Sequence, residues 1–165
     1  MAKGFLQHEC SDYTETSSPM AKHQTIRVLL CMALHYHWPL RQLDISNAFL
    51  HGNLDEEVYI HQPPGFISSS SPHHVYKLKK ALYGLKQAPR AWYSTFSRFF
   101  LSQGFINSHC DYSLFIHKTT SDITVLLVYV DDILLTGSNS SHITHLIHQM
   151  HSAFAMKELG PFLIF

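Results

Sequence analysis

Two adjacent carboxylates, Asp131 and Asp132, interrupt an otherwise apolar run over residues 123–135. A carboxylate set into such a run is expensive unless something pairs with it. One such partner is a hard cation; the plainer reading is a solvated turn between two strands. Neighbouring residues on a strand point to opposite faces. Both acids therefore reach one cation only if the turn makes them converge; otherwise one of them is the full ligand. Asp44, in RQLDISNAFL, ends a second apolar segment. Two strand ends that carry carboxylates, far apart in sequence, are what a two-metal site requires. Oxygen donors select Mg2+, which is usually held by one or two carboxylates plus substrate phosphates. Two such ions activate an attacking oxygen and stabilise a leaving one, and phosphoryl transfer is the matching reaction class. Spacing alone does not make the two strands neighbours.

The elements that must hold these acids are legible around them. Ile123–Tyr129 is rich in β-branched and aromatic residues, and residues 133–136 continue in the same style. Together they predict a hairpin with its tip at the acids, although no Gly stands where a two-residue turn favours one. Leu40–Ile45 reads as the strand that carries Asp44. Residues 57–61 and 75–78 read as further strands, and 155–159 as an edge strand. Ile26, Leu29, Leu30, Ala33 and Leu34 recur at helical spacing and predict a helix over 21–36, closed by Pro39. A second helix is expected over 89–103, with Pro in its first turn, an apolar face of Trp92, Phe96, Phe99 and Phe100, and Gly104 as its stop. A third is expected over 140–154. Residues 1–19 read as extended and loop-like, and 62–74, QPPGFISSSSPHH, as a surface loop. The order predicts an α+β fold with helices on one face of a mostly antiparallel sheet.

Composition narrows the function classes. The 165 residues fit one domain. With 45% hydrophobic and 15% charged residues, a disordered tail is excluded. Lys plus Arg equals Asp plus Glu, 12 each, so a generally polybasic nucleic-acid binder is excluded and any anion site must be local. Five of the twelve cations, Lys77, Lys79, Lys80, Lys86 and Arg90, fall within residues 76–90. They read equally as a solvated face or as phosphate contacts. Cys10, Cys31 and Cys110 have no C-x-x-C spacing, so no disulfide framework or zinc knuckle follows and a reducing compartment is the simpler reading. No signal-peptide core opens the sequence, and no apolar stretch approaches the ~20 residues that cross a bilayer. The expectation is a soluble intracellular protein. His142, His145, His148 and His151 recur every three residues on one helix; an exposed stripe is the better reading than a zinc site.

Six segments resemble, in order and over nearly the whole chain, the reverse transcriptase domain of copia-type long-terminal-repeat retrotransposon Pol polyproteins. They are AKGFLQHECSDYTET, QLDISNAFLHGNLDEEVYIHQPPGF, VYKLKKALYGLKQAPRAWY, DYSLFI, LLVYVDDILLTGS and FAMKELG. The resemblance implies a right-hand polymerase palm with partial fingers, an antiparallel sheet backed by helices, over residues 1–165. The thumb, connection and RNase H domain would lie outside a chain cut short at both ends. It implies RNA-directed DNA polymerase activity: templated addition of dNTPs to a primer 3′ end on RNA or DNA, with two Mg2+ ions or Mn2+ as a substitute. Asp44 and Asp131 would be the main metal ligands, Asp132 would assist, and Ile45 would lend a backbone carbonyl. Phe49, which by itself reads as a core residue, would be a steric gate against the 2′-hydroxyl that marks RNA. Tyr83, Gly84, Leu85, Lys86 and Gln87 would line the incoming nucleotide and template base, Gly84 by letting the backbone come close. Lys77, Lys79, Lys80 and Arg90 would meet nucleic acid, with Lys3 and Arg27 as further phosphate contacts. Lys157 reads first as a surface lysine and, through the resemblance, as a proton donor to the leaving group. Two departures stand out: Cys10 replaces an expected Gly, and Ser18 an expected Phe. The alternatives are a non-catalytic nucleic-acid-binding remnant and a non-functional relic. The expected partners are primer–template, dNTP and the rest of a Pol polyprotein, without a membrane. The expected place is the cytoplasm, in a virus-like particle, or the nucleus.

Overall fold

A computed structural model describes residues 4–9, 12–13 and 15–161. Lys3, Cys10 and the last four residues lie outside them. The chain forms two compact units, one from residues 19–48 and 96–165 and one from 1–18 and 49–95.

The first unit is built on a six-stranded antiparallel sheet in the order β4-β5-β6-β7-β1-β8. Its strands are β1 (Leu40–Ile45), β4 (Ile106–Asn107), β5 (Leu114–Lys118), β6 (Ile123–Tyr129), β7 (Asp132–Gly137) and β8 (Met156–Pro161). Its helices are α1 (His23–His35), α3 (Ser140–Ala153) and the part of α2 (Ala88–Ser102) from Phe96 onward. Both faces of the sheet are covered, not one as the element order predicts. Leu29 and Ala33 of α1 pack on Leu40, Val125 and Leu127. By alternation, the opposite face carries Leu43, Leu126, Ile133 and Leu135, all fully buried. There Phe96 of α2 meets Phe115 edge to face and Phe100 meets it at a tilt, at 5.7 Å between centroids in each pair. His142 of α3 meets His117 on the same face. Antiparallel sheets tolerate one wet face. Here α1 is long enough, and apolar enough on one side, to dry most of the second.

The N-terminus of α1 is capped from a distance. Its N-cap residue Lys22 makes no side-chain cap. Asp111, nearly buried, accepts instead from the Lys22 N–H at 3.0 Å and the Thr25 hydroxyl at 2.6 Å. The α3 terminus follows the rule more simply: the Asn139 side chain accepts from the His142 N–H.

The second unit is a two-stranded ribbon, β2 (Asn53–His61) against β3 (Val75–Lys80), with the first turns of α2. Val58, Ala81, Leu85, Ala88 and Ala91 form its small core. Within the surface loop expected at 62–74, Gln62 organises the chain. Its amide donates to the carbonyls of Ser71 and His74 and accepts from the Ser68 N–H. The N-terminal segment expected to be extended and loop-like also holds a 3-10 turn at Gly4–Leu6.

Candidate catalytic site

The acids stand at one end of the sheet. In the β1–β7 ladder, Asp44 is the direct partner of Asp132. Side chains of directly opposed residues in an antiparallel pair share a face, with Cβ atoms about 4.5–5.5 Å apart. Leu43 and Ile45, on either side of Asp44, are buried on the other face. The backbone alternation therefore aims Asp44 and Asp132 together, on the face that carries Leu40 and Leu134, one alternation beyond the part packed with α1. The register makes Asp132, rather than Asp131, the cross-strand neighbour of Asp44.

Asp131 lies in the β6–β7 turn, whose two central residues are Val130 and Asp131 between the paired Tyr129 and Asp132. Val130 has φ +57°, the left-handed region. A β-branched residue there is strained by about 1–3 kcal/mol. This is the place where a Gly was missed in the sequence, and the signal was the absent Gly itself. The turn is held from the neighbouring strand: the Ile45 N–H donates to the Asp131 carbonyl at 2.9 Å. Ile45 thus touches the acid turn through its backbone while its side chain anchors the core.

A divalent ion fits this donor set in a limited sense. Among the described residues no three His, Cys, Asp or Glu side chains converge closely enough to hold a metal, so the carboxylates do not form a closed cage. Mg2+ does not need one; two facing carboxylates with substrate oxygens suffice. The four histidines of α3 form no metal cluster either. His145, His148 and His151 are exposed, and His142 is half-buried beside His117 and Thr124. Burial and the neighbouring His117 push the His142 pKa down.

In the ribbon unit, two residues expected at the nucleotide are brought together: the rings of Phe49 and Tyr83 are 4.7 Å apart. Phe49 also packs on the small core. Gly84, at φ +98°, meets the backbone of Gly4, where a Cβ would stand 1.9 Å from the Gly84 carbonyl oxygen. Its closeness to backbone is thus already used within the fold. Gln87 departs further from its expected place lining the nucleotide. It is fully buried; its amide donates to the Asp12 carbonyl and accepts from Gln7, each at 3.1 Å. Gln7 in turn accepts the Lys86 N–H at 2.9 Å. The Lys86 side chain, with Lys79 and Lys80, stays exposed. Lys77 is paired with Glu57, and Arg90 with Glu56, Arg90 also donating to the Glu15 carbonyl. Glu56 and Gln7 escaped the sequence reading, because nothing local marks a partner 34 or 80 residues away.

Comparison with known proteins agrees over the whole length. The family model for reverse transcriptase (RNA-dependent DNA polymerase) matches residues 1–165. The retrovirus-related Pol polyproteins from transposons RE2 and RE1 of Arabidopsis thaliana are each 48% identical over 158 residues, 96% of this chain and 11% of theirs. The Pol polyprotein from transposon TNT 1-94 of Nicotiana tabacum is 41% identical over 162 residues, 98% of this chain and 12% of the relative. The chain thus spans about a tenth of the length of these relatives. No solved structure matches it. The chain belongs to the reverse transcriptase (RNA-dependent DNA polymerase) family, in the form carried by copia-type retrotransposon Pol polyproteins.

Proposed function

We propose that this chain is the palm with part of the fingers of a copia-type polymerase, and that it adds dNTPs to a primer 3′ end on an RNA or DNA template. The observation that carries this reading is the pairing of Asp44 with Asp132 on one open face, beside a strained turn that contains Asp131. Asp44, Asp131 and Asp132, with the Ile45 carbonyl, are the groups that would hold two Mg2+ ions. Bound there, the ions supply activation of the 3′-hydroxyl and stabilisation of the leaving pyrophosphate oxygens. The chain's own residues do the positioning. Phe49, braced by Tyr83, presents a flat ring to the sugar and excludes a 2′-hydroxyl. Gly84 and Lys86 present backbone and charge to the nucleotide, while Gln87 acts indirectly by fixing their loop. Lys79 and Lys80 meet backbone phosphates; Lys77 and Arg90 contribute when they leave their carboxylate partners. The rest of a Pol polyprotein and a primer–template are its partners, in the cytoplasm or the nucleus.

Primer extension tests this reading. The purified chain, an RNA template with an annealed DNA primer, four dNTPs and Mg2+ should give extension, and Asp131→Asn should give none. No extension from a wild-type sample that melts cooperatively overturns the reading. Salt-dependent binding of primer–template without extension would point instead to a binding remnant.

A further inference from the structure

Asp44 has two cross-strand neighbours, because β1 lies between β7 and β8. On β7 it faces Asp132, and on β8 it faces Lys157. Both pairings are antiparallel and direct, and the bulge in the β1–β8 ladder falls earlier, between Gln42 and Leu43. The three side chains therefore form a row across one face of the sheet, carboxylate, carboxylate, ammonium. Like charges directly opposite each other destabilise a sheet, and opposite charges stabilise it. Asp44 is the only member of the row that touches both influences. Lys157 is exposed, and the three ion pairs among the described residues leave it out. Its ammonium is thus near the acids without being locked to either.

We propose that Lys157 is a built-in counter-cation for the acid pair, a positioning residue that acts through Asp44. It offsets the repulsion between Asp44 and Asp132 when no divalent ion is bound. It also opposes a divalent ion that comes to the same carboxylates, and so weakens its binding. The second half of this inference rests on the reading that Asp44 and Asp132 hold Mg2+; the first half does not.

Thermal melting of the whole chain, with MgCl2 titrated at constant ionic strength, tests both halves. Lys157→Gln should melt below wild type without Mg2+. Adding Asp44→Asn to Lys157→Gln should recover the loss, since the repulsion is then gone. Mg2+ should stabilise Lys157→Gln at a half-saturating concentration about tenfold below that of wild type, as a nearby unit charge weighs at this range. Lys157→Arg should match wild type in both readouts. Equal metal-free midpoints and equal Mg2+ half-saturation for wild type and Lys157→Gln overturn the proposal. A lower midpoint that Asp44→Asn fails to recover also overturns it, because the lysine would then serve only to pack its edge strand. Should no protein respond to Mg2+, the metal reading of the acids fails, while the metal-free recovery by Asp44→Asn still decides the counter-cation role.

Discussion

The sheet unit surrounds its acid-bearing strands with buried aromatic and aliphatic side chains, Leu43, Ile45 and Ile133 among them. The ribbon unit has few such side chains and is held largely by polar ones: Gln87 to Gln7 and Asp12, Gln62 across its loop, Arg90 to Glu56. The two therefore treat their candidate functional groups differently. The acids are left over by a frame that does not need them, so they can be spent on a ligand. Gln87 and Arg90 are part of the frame itself, so their loss is structural before it is functional.

The sharpest way to break this contrast is to remove apolar volume from the sheet unit. Phe100 is fully buried and packs on Phe96, Phe99, Phe105 and Phe115. Phe100→Ala should cost about 3–5 kcal/mol in urea unfolding, whereas Asp44→Asn should leave stability nearly unchanged. If Asp44→Asn proves comparably destabilising, the acids belong to the frame after all.

Next comes a polar deletion in the ribbon unit. Gln87→Leu fills the same space but leaves the Asp12 carbonyl and the Gln7 amide without their partner. A stranded buried group costs about 1–3 kcal/mol; both bonds are part-buried, so the low end for each, a loss of about 2–3 kcal/mol in all, is expected. A fall in primer extension with stability kept would reverse the assignment and make Gln87 a direct ligand.

What the sequence disclosed follows the same division. The bounds of β1, the hairpin with acids at its tip and the β8 edge strand were readable, because each rests on local patterning with clear ends. β4 and β5 were not: one has two residues, and the other, LFIHK, shows no alternation that points to a sheet. That α1 covers the second face was hidden too, since a helix's apolar stripe does not say which side of a sheet it seeks. Among site residues, the types and positions of Asp44, Asp131 and Asp132 were legible. That Asp132 rather than Asp131 faces Asp44 required the strand register. The burial of Gln87 required Gln7, which is distant in sequence.

A smaller effect separates charge held by the frame from charge at its open end. Burial pushes the Asp111 pKa up, but the bonds it accepts from Ser113, Thr25 and Lys22 outweigh burial and hold it below the ordinary carboxylate value. A folded-state pKa lowered in this way adds stability that is present above the unfolded-state value and lost as the pH falls through the folded one. Asp111→Asn should therefore cost about 1–2 kcal/mol near neutral pH. The two unfolding curves should converge below about pH 4. A gap that persists in acid would mean that the carboxylate's shape, not its charge, caps α1.

The smallest stability change is expected at the acid turn, and its sign is opposite to the others. Val130 holds φ +57° beside Asp131, a conformation that Gly adopts without strain. Val130→Gly removes that strain but gives the unfolded chain more freedom, about 0.4–1 kcal/mol of entropy. With the strain at the low end of its range, about 1 kcal/mol, the net result should be a gain below about 1 kcal/mol, seen as a slightly higher melting midpoint. Extension should nevertheless slow, because a Gly lets Asp131 wander from the place where the Ile45 N–H and the stiff valine hold it. Val130→Ala separates the two causes: alanine keeps a Cβ in the strained region but loses the branch, so its effects on midpoint and on rate should both fall between valine and glycine. A glycine variant that is more stable and equally active would show that the turn's strain is incidental to the acids it presents.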